Sequence, residues 1–186
     1  MKCVVAITGA SGSIYAQRLL NNINAQEHEV HVVLSSHADE VAACEIDGYH
    51  FPEHVRVHQD HSMQVPFVSG SAQFEVMAIV PCSMGTLGRI AYGYSDSVIC
   101  RAADVFLKEK RKLILVPRET PWNLIQAKNV VSVMEAGATV LPAIPSFYGR
   151  PDSVEAVADT VVARVLDHMG IQSNLVKRWK EGEAKD

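Results

Sequence analysis

The sequence predicts an α/β domain with a mostly parallel sheet, on three observations. Apolar runs of strand length are continuous and rich in Val and Ile, the pattern of strands covered on both faces. Segments of helical period separate these runs. Each run then gives way to Gly, Ser or Pro, where open parallel sheets carry their ligand-binding turns.

Taken in order, Cys3 to Ile7 is the first run. It is too short for a signal-peptide core and reads as a strand. Ser13 to Asn24 follows as a helix, with Ile14, Leu19, Leu20 and Ile23 on one side. Val30 to Leu34 is the second strand, and Asp39 to Cys44 a short helix. Pro52, Pro66 and several His make residues 48–70 irregular, with one strand at best. Val76 to Val80 ends at Pro81, and helices are expected over Ser83 to Ala91 and Val98 to Lys108. Leu113 to Val116 ends at Pro117, and Leu124 to Ala136 is helical. Thr139 to Leu141 is a short fifth strand ended by Pro142. The last helix, Ser153 to Met169, carries Val154, Val157, Val161, Val162, Val165 and Leu166. Residues 1–181 are expected to form one domain and 182–186 a polar tail.

Composition narrows the function. The chain has 186 residues and a formal charge of −4, which argues against a duplex-DNA binder. Its apolar share of 48% against 20% charged residues is that of a folded globule. No apolar run approaches the roughly 20 residues that span a bilayer. Cys3, Cys44, Cys82 and Cys100 lie far apart without a C-x-x-C pair, as reduced thiols of a cytoplasmic protein do.

The strand ends hold the chemistry. Gly9-Ala10-Ser11-Gly12 joins a strand to a helix, either as a phosphate-binding turn or as a tight turn capped by Ser11. It is neither G-x-G-x-x-G nor a P-loop, and the second strand ends in Ser35-Ser36 rather than a ribose-binding carboxylate. A mononucleotide phosphate fits better than a dinucleotide. Ser83-Met84-Gly85-Thr86 repeats the pattern, with a plain N-cap by Ser83 as the alternative. Between Arg101 and Arg118, six basic residues accompany two acidic ones, a local excess within an acidic chain. Arg101 and Lys108 are two helical turns apart and can share a face. Lys110, Arg111 and Lys112 read as a solvated turn. Glu45 and Glu119 are candidate proton carriers. His54, His58 and His61 have helical spacing in a stretch that reads as a strand, so no metal site is expected there.

These motifs, together with Arg101-Ala102-Ala103-Asp104-Val105, Val116-Pro117-Arg118-Glu119-Thr120-Pro121, Pro145-Ser146-Phe147-Tyr148-Gly149-Arg150-Pro151, Arg164-Val165-Leu166-Asp167 and Arg178-Trp179, resemble the UbiX/Pad1 flavin prenyltransferases in order along nearly the whole chain. The resemblance implies a three-layer flavodoxin-like, Rossmann-type fold assembled into a homododecamer. It implies metal-independent transfer of the dimethylallyl group of dimethylallyl phosphate to N5 and then C6 of reduced FMN. The prenylated FMN serves a UbiD-type decarboxylase, in ubiquinone biosynthesis or aromatic acid decarboxylation. FMN contacts carried over by motif are Gly9, Ala10, Ser11, Ser35, Ser83, Met84, Gly85, Thr86 and Arg118. Tyr148 and Arg164, with Arg101 and Lys108, are implied for the prenyl phosphate. Ser11, Glu45, Glu119, Tyr148 and Arg164 are implied as catalytic.

Residues 48–70 match least and lack the Trp of some relatives, so either Met63 or Phe67 lines the prenyl pocket in its place or the pocket differs. Two other functions compete. A phosphopantothenoylcysteine-type decarboxylase would carry an Asn-containing motif where Pro81-Cys82-Ser83-Met84 stands. A non-catalytic flavin carrier would leave the basic residues and Tyr148 idle.

Overall fold

A computed structural model describes residues 1–178; the expected domain end at 181, the tail at 182–186 and Trp179 lie outside them. The strands are β1 (Lys2–Ile7), β2 (Glu29–Leu34), β3 (Arg56–Gln59), β4 (Val76–Cys82), β5 (Lys112–Pro117) and β6 (Thr139–Val140). The helices are α1 (Ser13–Asn21), α2 (Ala38–Glu45), α3 (Met84–Ala91), α4 (Val98–Lys108), α5 (Leu124–Glu135) and α6 (Val154–Met169). The sheet order is β3-β2-β1-β4-β5-β6 and every pairing is parallel. Parallel neighbours need crossovers, which place helices on both faces and give the three-layer, flavodoxin-like or Rossmann-type architecture.

Alternation along each strand divides the core in two. Cys3, Val5 and Ile7 of β1 pack under α1 and α6, with Val30, Val32, Ile114 and Val116. Val4 and Ala6 face the opposite layer of α3, α4 and α5, with Met77, Ile79, Leu113 and Leu115. Both faces are dry, which is why the strands read as unbroken apolar runs. On the first layer Arg18 of α1 donates two hydrogen bonds to the buried Asp159 carboxylate of α6, at 2.7 and 2.5 Å. This paired, buried charge fixes the two helices side by side.

One detail of the sheet differs from the sequence expectation and one agrees with it. β4 continues through Pro81 to Cys82, with a register shift between Ile79 and Cys82. Residues 48–70 supply β3, which pairs with the outer edge of β2 through His31↔Arg56 to Leu34↔Gln59. The same segment carries Phe67 into the core, where its ring meets Phe74, His31 and His58 edge-on.

The strand order reverses between β1 and β4, which are neighbours in the sheet and lead their crossovers to opposite sides. Such a switch point opens a crevice beyond the carboxyl ends of the strands. That crevice is where the sequence places its glycine- and serine-rich turns.

Candidate active site

Hydrogen bonds continue past the strand ends and set the turns in a row. Ser35 N–H donates to the Ile7 carbonyl at 2.9 Å, and Thr8 N–H to the Pro81 carbonyl at 3.3 Å. Arg118 N–H donates to the Cys82 carbonyl at 3.4 Å, and Ala143 N–H to the Pro117 carbonyl at 2.9 Å. The row therefore runs Ser35, Thr8, Ser83, Arg118, Ala143. With about 4.8 Å between strands, it spans a length suited to a flavin nucleotide.

Thr8, to which sequence reasoning gave no role, joins the two central turns. Its buried hydroxyl donates to the Pro81 carbonyl at 2.8 Å and accepts from Ser83 N–H at 2.8 Å. A hydroxyl ending an otherwise apolar strand was its only signal in the sequence. With Ser83 fixed from behind, its side chain caps α3. Ser83 Oγ accepts from Thr86 N–H at 3.2 Å and lies 3.0 Å from Thr86 Oγ1. The first N–H groups of a helix have no carbonyl partner within it. Ser83 satisfies one of them, while Met84 and Gly85 line an open cavity with Asn123 and Gln126 of the α5 start. A Cβ built on Gly85 would meet nothing nearer than Ser83 Oγ at 4.0 Å. Space, free donors and the positive end of the helix dipole together fit a phosphate group such as that of FMN.

The start of α1 differs from the sequence expectation. Ser11 does not cap it; the N-cap is Gly12, at φ 112° without a side-chain cap. An L side chain rarely adopts this left-handed backbone, and a Cβ there would lie 2.8 Å from the Tyr15 ring. Nor are its N–H groups open to a phosphate. Gly12 N–H donates to the Glu45 carboxylate at 2.9 and 3.2 Å, and Ser13 N–H donates to it at 2.7 Å. Glu45, the last residue of α2, thus docks the second crossover helix onto the first. Burial works to raise its carboxyl, but hydrogen bonds from Ser11, Ser13 and Gly12 outweigh it and hold Glu45 below the usual carboxylate range. Tyr49 stands beside the same group, its hydroxyl pushed up to about 12 chiefly by burial.

Gly9 allows a close approach of two turns. A Cβ there would fall 2.6 Å from His37 Cβ, so its missing side chain lets the turn after β2 close over β1. Ala10 is buried and Ser11 exposed beside Glu45. Arg118 lies just beyond Gly12, its Cγ about 4.0 Å from the position of an added Cβ. Arg118 and Glu119 line a cavity of about 280 Å³ with Thr120, Trp122 and Ile144. The Glu119 carboxylate accepts from Thr120 N–H at 3.0 Å.

Ile144 is also in the wall of a larger cavity of about 480 Å³, which holds Tyr148 and Arg164. The loop 146–152, the outer face of α6 and residues 175–177 close it. Arg164 Nη1 donates to Asp167 Oδ2 at 2.7 Å, one turn along α6.

The structure does not bring Arg101 and Lys108 to this cavity. They share a face of α4, as their spacing requires, but α4 covers the opposite side of the sheet from α6. Arg101 donates to the Val68 carbonyl at 3.3 Å and to Asp104 at 2.9 Å, while Lys108 pairs with Glu109. Arg111, expected in a solvated turn, donates to the carbonyls of Ala72 and Gly70, both at 2.6 Å. Arg101 and Arg111 of the basic stretch therefore anchor the loop 68–72 within one chain. Phe67, expected near a prenyl group, is fully buried and unavailable to it, whereas Met63 is 45% exposed. Among the described residues, no cluster of three or more His, Cys, Asp and Glu is arranged to hold a metal ion.

The Flavoprotein family profile matches residues 1–177. The flavin prenyltransferase UbiX of Methanocaldococcus jannaschii is 43% identical over 183 residues, covering 96% of this chain and 98% of that protein. A crystal structure of AnUbiX (PadA1) in complex with FMN and dimethylallyl pyrophosphate superposes with a TM-score of 0.91 at 37% identity, covering 98% of each chain. A dodecameric FMN-dependent Ubix-like decarboxylase from Escherichia coli O157:H7 gives a TM-score of 0.90 at 35% identity, covering 97% of this chain and all of the other.

Proposed function

The chain belongs to the flavin prenyltransferase family, and we propose that it joins the dimethylallyl group of dimethylallyl phosphate to N5 and C6 of reduced FMN. One observation carries the assignment to particular residues. Two cavities that each carry an arginine, the small one beside Arg118 and Glu119 and the larger one of Tyr148 and Arg164, share Ile144 as a common wall. Ser35, Ser83, Met84, Gly85, Thr86 and Arg118 hold FMN along the row of strand ends, with Gly9, Ala10 and Ser11 shaping its β1 side. Reduced FMN, when bound, supplies the nucleophilic N5 and the carbon at which the new ring closes.

The protein supplies position and field. Breaking the allylic C–O bond leaves positive charge on the prenyl carbon and additional negative charge on phosphate. Arg164 and the Tyr148 hydroxyl offset the second of these at the phosphate oxygens. Glu45, kept anionic by its donors, lies across Gly12 from Arg118; a carboxylate so stabilised is a weak base, so its part is to orient Ser11 and to place a fixed negative charge near the flavin. Glu119 is assigned to proton handling near the leaving phosphate. The four-donor set of Arg164, Tyr148, Arg101 and Lys108 requires a second copy, because the sheet separates the two pairs in one chain. That need agrees with a homododecamer of the kind described for the Escherichia coli relative. A UbiD-type decarboxylase is the proposed recipient of the product. The buried Cys3 thiol, pushed up to about 12 by burial, is inert and suits a cytoplasmic protein.

The test is anaerobic incubation of the protein with FMN, dithionite and dimethylallyl phosphate, with dimethylallyl diphosphate in parallel. A flavin mass increased by one C5 unit is expected; an unchanged mass would favour a flavin carrier. Arg164→Ala and Tyr148→Phe should keep most FMN binding while slowing transfer about 10²–10³-fold. Equal loss of FMN from these variants would mean the two subsites are wrongly divided.

A further inference from the structure

Asp167 lies on α6, one turn beyond Arg164, and its carboxylate is shared by two arginines. Arg164 Nη1 donates to Oδ2 at 2.7 Å. Arg178 donates Nη2 to Oδ1 at 2.7 Å and Nη1 to Oδ2 at 3.1 Å. The second contact is a two-pronged guanidinium–carboxylate pair spanning eleven residues, and it brings the segment after α6 back along the helix. That segment is not a bystander: Leu175, Val176 and Lys177 form one wall of the cavity that Tyr148 and Arg164 line. One carboxylate therefore anchors both a wall of the cavity and Arg164, one of the cations that line it with Arg150 and Lys177.

We propose that Asp167 is a positioning residue for the prenyl donor: it aims Arg164 at the phosphate and straps the segment 171–178 over the cavity. The inference rests on the prenyltransferase reading above and adds to it a residue that need not touch either substrate.

The chemistry favours positioning over mere charge balance. An Arg side chain loses much rotamer freedom when its fork is fixed, and a donor already in place needs no reordering when phosphate arrives. Asp167 occupies one of the Arg164 nitrogens and leaves the others for the cavity. Hydrogen bonds from Arg178, together with the charges of Arg178 and Arg164, hold the Asp167 carboxyl below its usual range, so the clamp is ionic at neutral pH. Its side chain is 20% exposed while Arg164 is 58% and Arg178 42% exposed, so the clamp rests on its two-pronged geometry rather than on burial.

The two roles give opposite signs, which makes the experiment decisive. A carboxylate acting only as a nearby negative charge would repel the donor phosphate, and Asp167→Asn would then lower KM. As a positioning residue its loss raises KM for dimethylallyl phosphate by about tenfold, one ionic hydrogen bond's worth. FMN affinity should not change, and Asp167→Glu should recover most of the loss. Arg178→Ala, which keeps the Arg164–Asp167 pair, should give a smaller rise. Unchanged or lowered KM in Asp167→Asn, or a parallel loss of FMN, would overturn the assignment. Amide exchange tests the strap without catalysis: residues 171–178 should exchange faster in Asp167→Asn and in Arg178→Ala, and equal protection would refute it. If the native protein yields no prenylated flavin, the functional reading fails by itself. Calorimetric binding of inorganic phosphate to native and Asp167→Asn protein then decides the positioning role, weaker binding to the variant supporting it and equal or tighter binding overturning it.

Discussion

The first turns of α1 and α3 begin alike, with a parallel strand, a short run of Gly and Ser, and a helix, yet they end in opposite states. At α3 the cap is a side chain of the turn itself, Ser83, and the neighbouring Gly85 looks onto open space. At α1 the cap is a left-handed glycine, and a carboxylate from 33 residues away accepts from the first two N–H groups. A helix N-terminus attracts an anion in either case. At α3 the anion remains to be supplied by a ligand; at α1 the protein supplies its own. Two adjacent turns of similar sequence thus divide the labour. One leaves its donors for an anionic ligand, and the other is filled by the protein's own carboxylate.

The largest expected effects come from the glycines, since the same substitution should act on different properties at the two turns. Gly85→Ala adds a methyl group to empty space and replaces a helical glycine, so thermal stability should hold or rise slightly. FMN affinity should fall about 100-fold, the cost of one or two charge-assisted hydrogen bonds kept from forming. Gly9→Ala places its methyl 2.6 Å from His37 Cβ, with the His37 carbonyl carbon 3.3 Å away, and backbone cannot easily give. That variant should lose about 1–3 kcal/mol of stability by overpacking, visible in its urea midpoint. An intact urea midpoint for Gly9→Ala, or unchanged FMN affinity for Gly85→Ala, would erase the distinction between a structural and a ligand-bearing turn.

Much of this arrangement was legible in the sequence, and the remainder has physical reasons for being hidden. Unbroken Val and Ile runs revealed strands buried on both faces, and the helix over Val98–Lys108 has the bounds its periodicity predicts. Ser83 was readable as a cap because capping is local. β3 was faint, since Arg56–Gln59 has no apolar run and is ordered mainly by pairing with β2. The Glu45–Gly12 contact is tertiary, and nothing in either segment announces the other. Arg101 and Lys108 show the limit most clearly. Their spacing puts them on one helix face, but it does not tell which side of the sheet that helix covers. Phe67 is expected from the sequence as one choice of pocket lining, and three aromatic partners, two of them brought by β2 and β3, place it in the core instead.

The smallest expected effect tests the α1 side alone. Glu45→Gln keeps the shape of the side chain and removes its charge. It should cost about 0.5–1 kcal/mol at neutral pH, the usual worth of an anion at an exposed helix N-terminus. Because the donors from Ser11, Ser13 and Gly12 outweigh the burial that opposes them, the folded carboxyl titrates below its ordinary value of 4.5. A depressed folded pKa stabilises the protein above the unfolded value, and that stabilisation is lost as pH falls through the folded one. Urea unfolding of the native and Glu45→Gln proteins should therefore differ above pH 4.5 and converge below it. A gap that stayed constant into acid would mean the carboxylate's shape, not its charge, closes the turn. The start of α1 would then be an ordinary capped helix rather than an internally neutralised anion site.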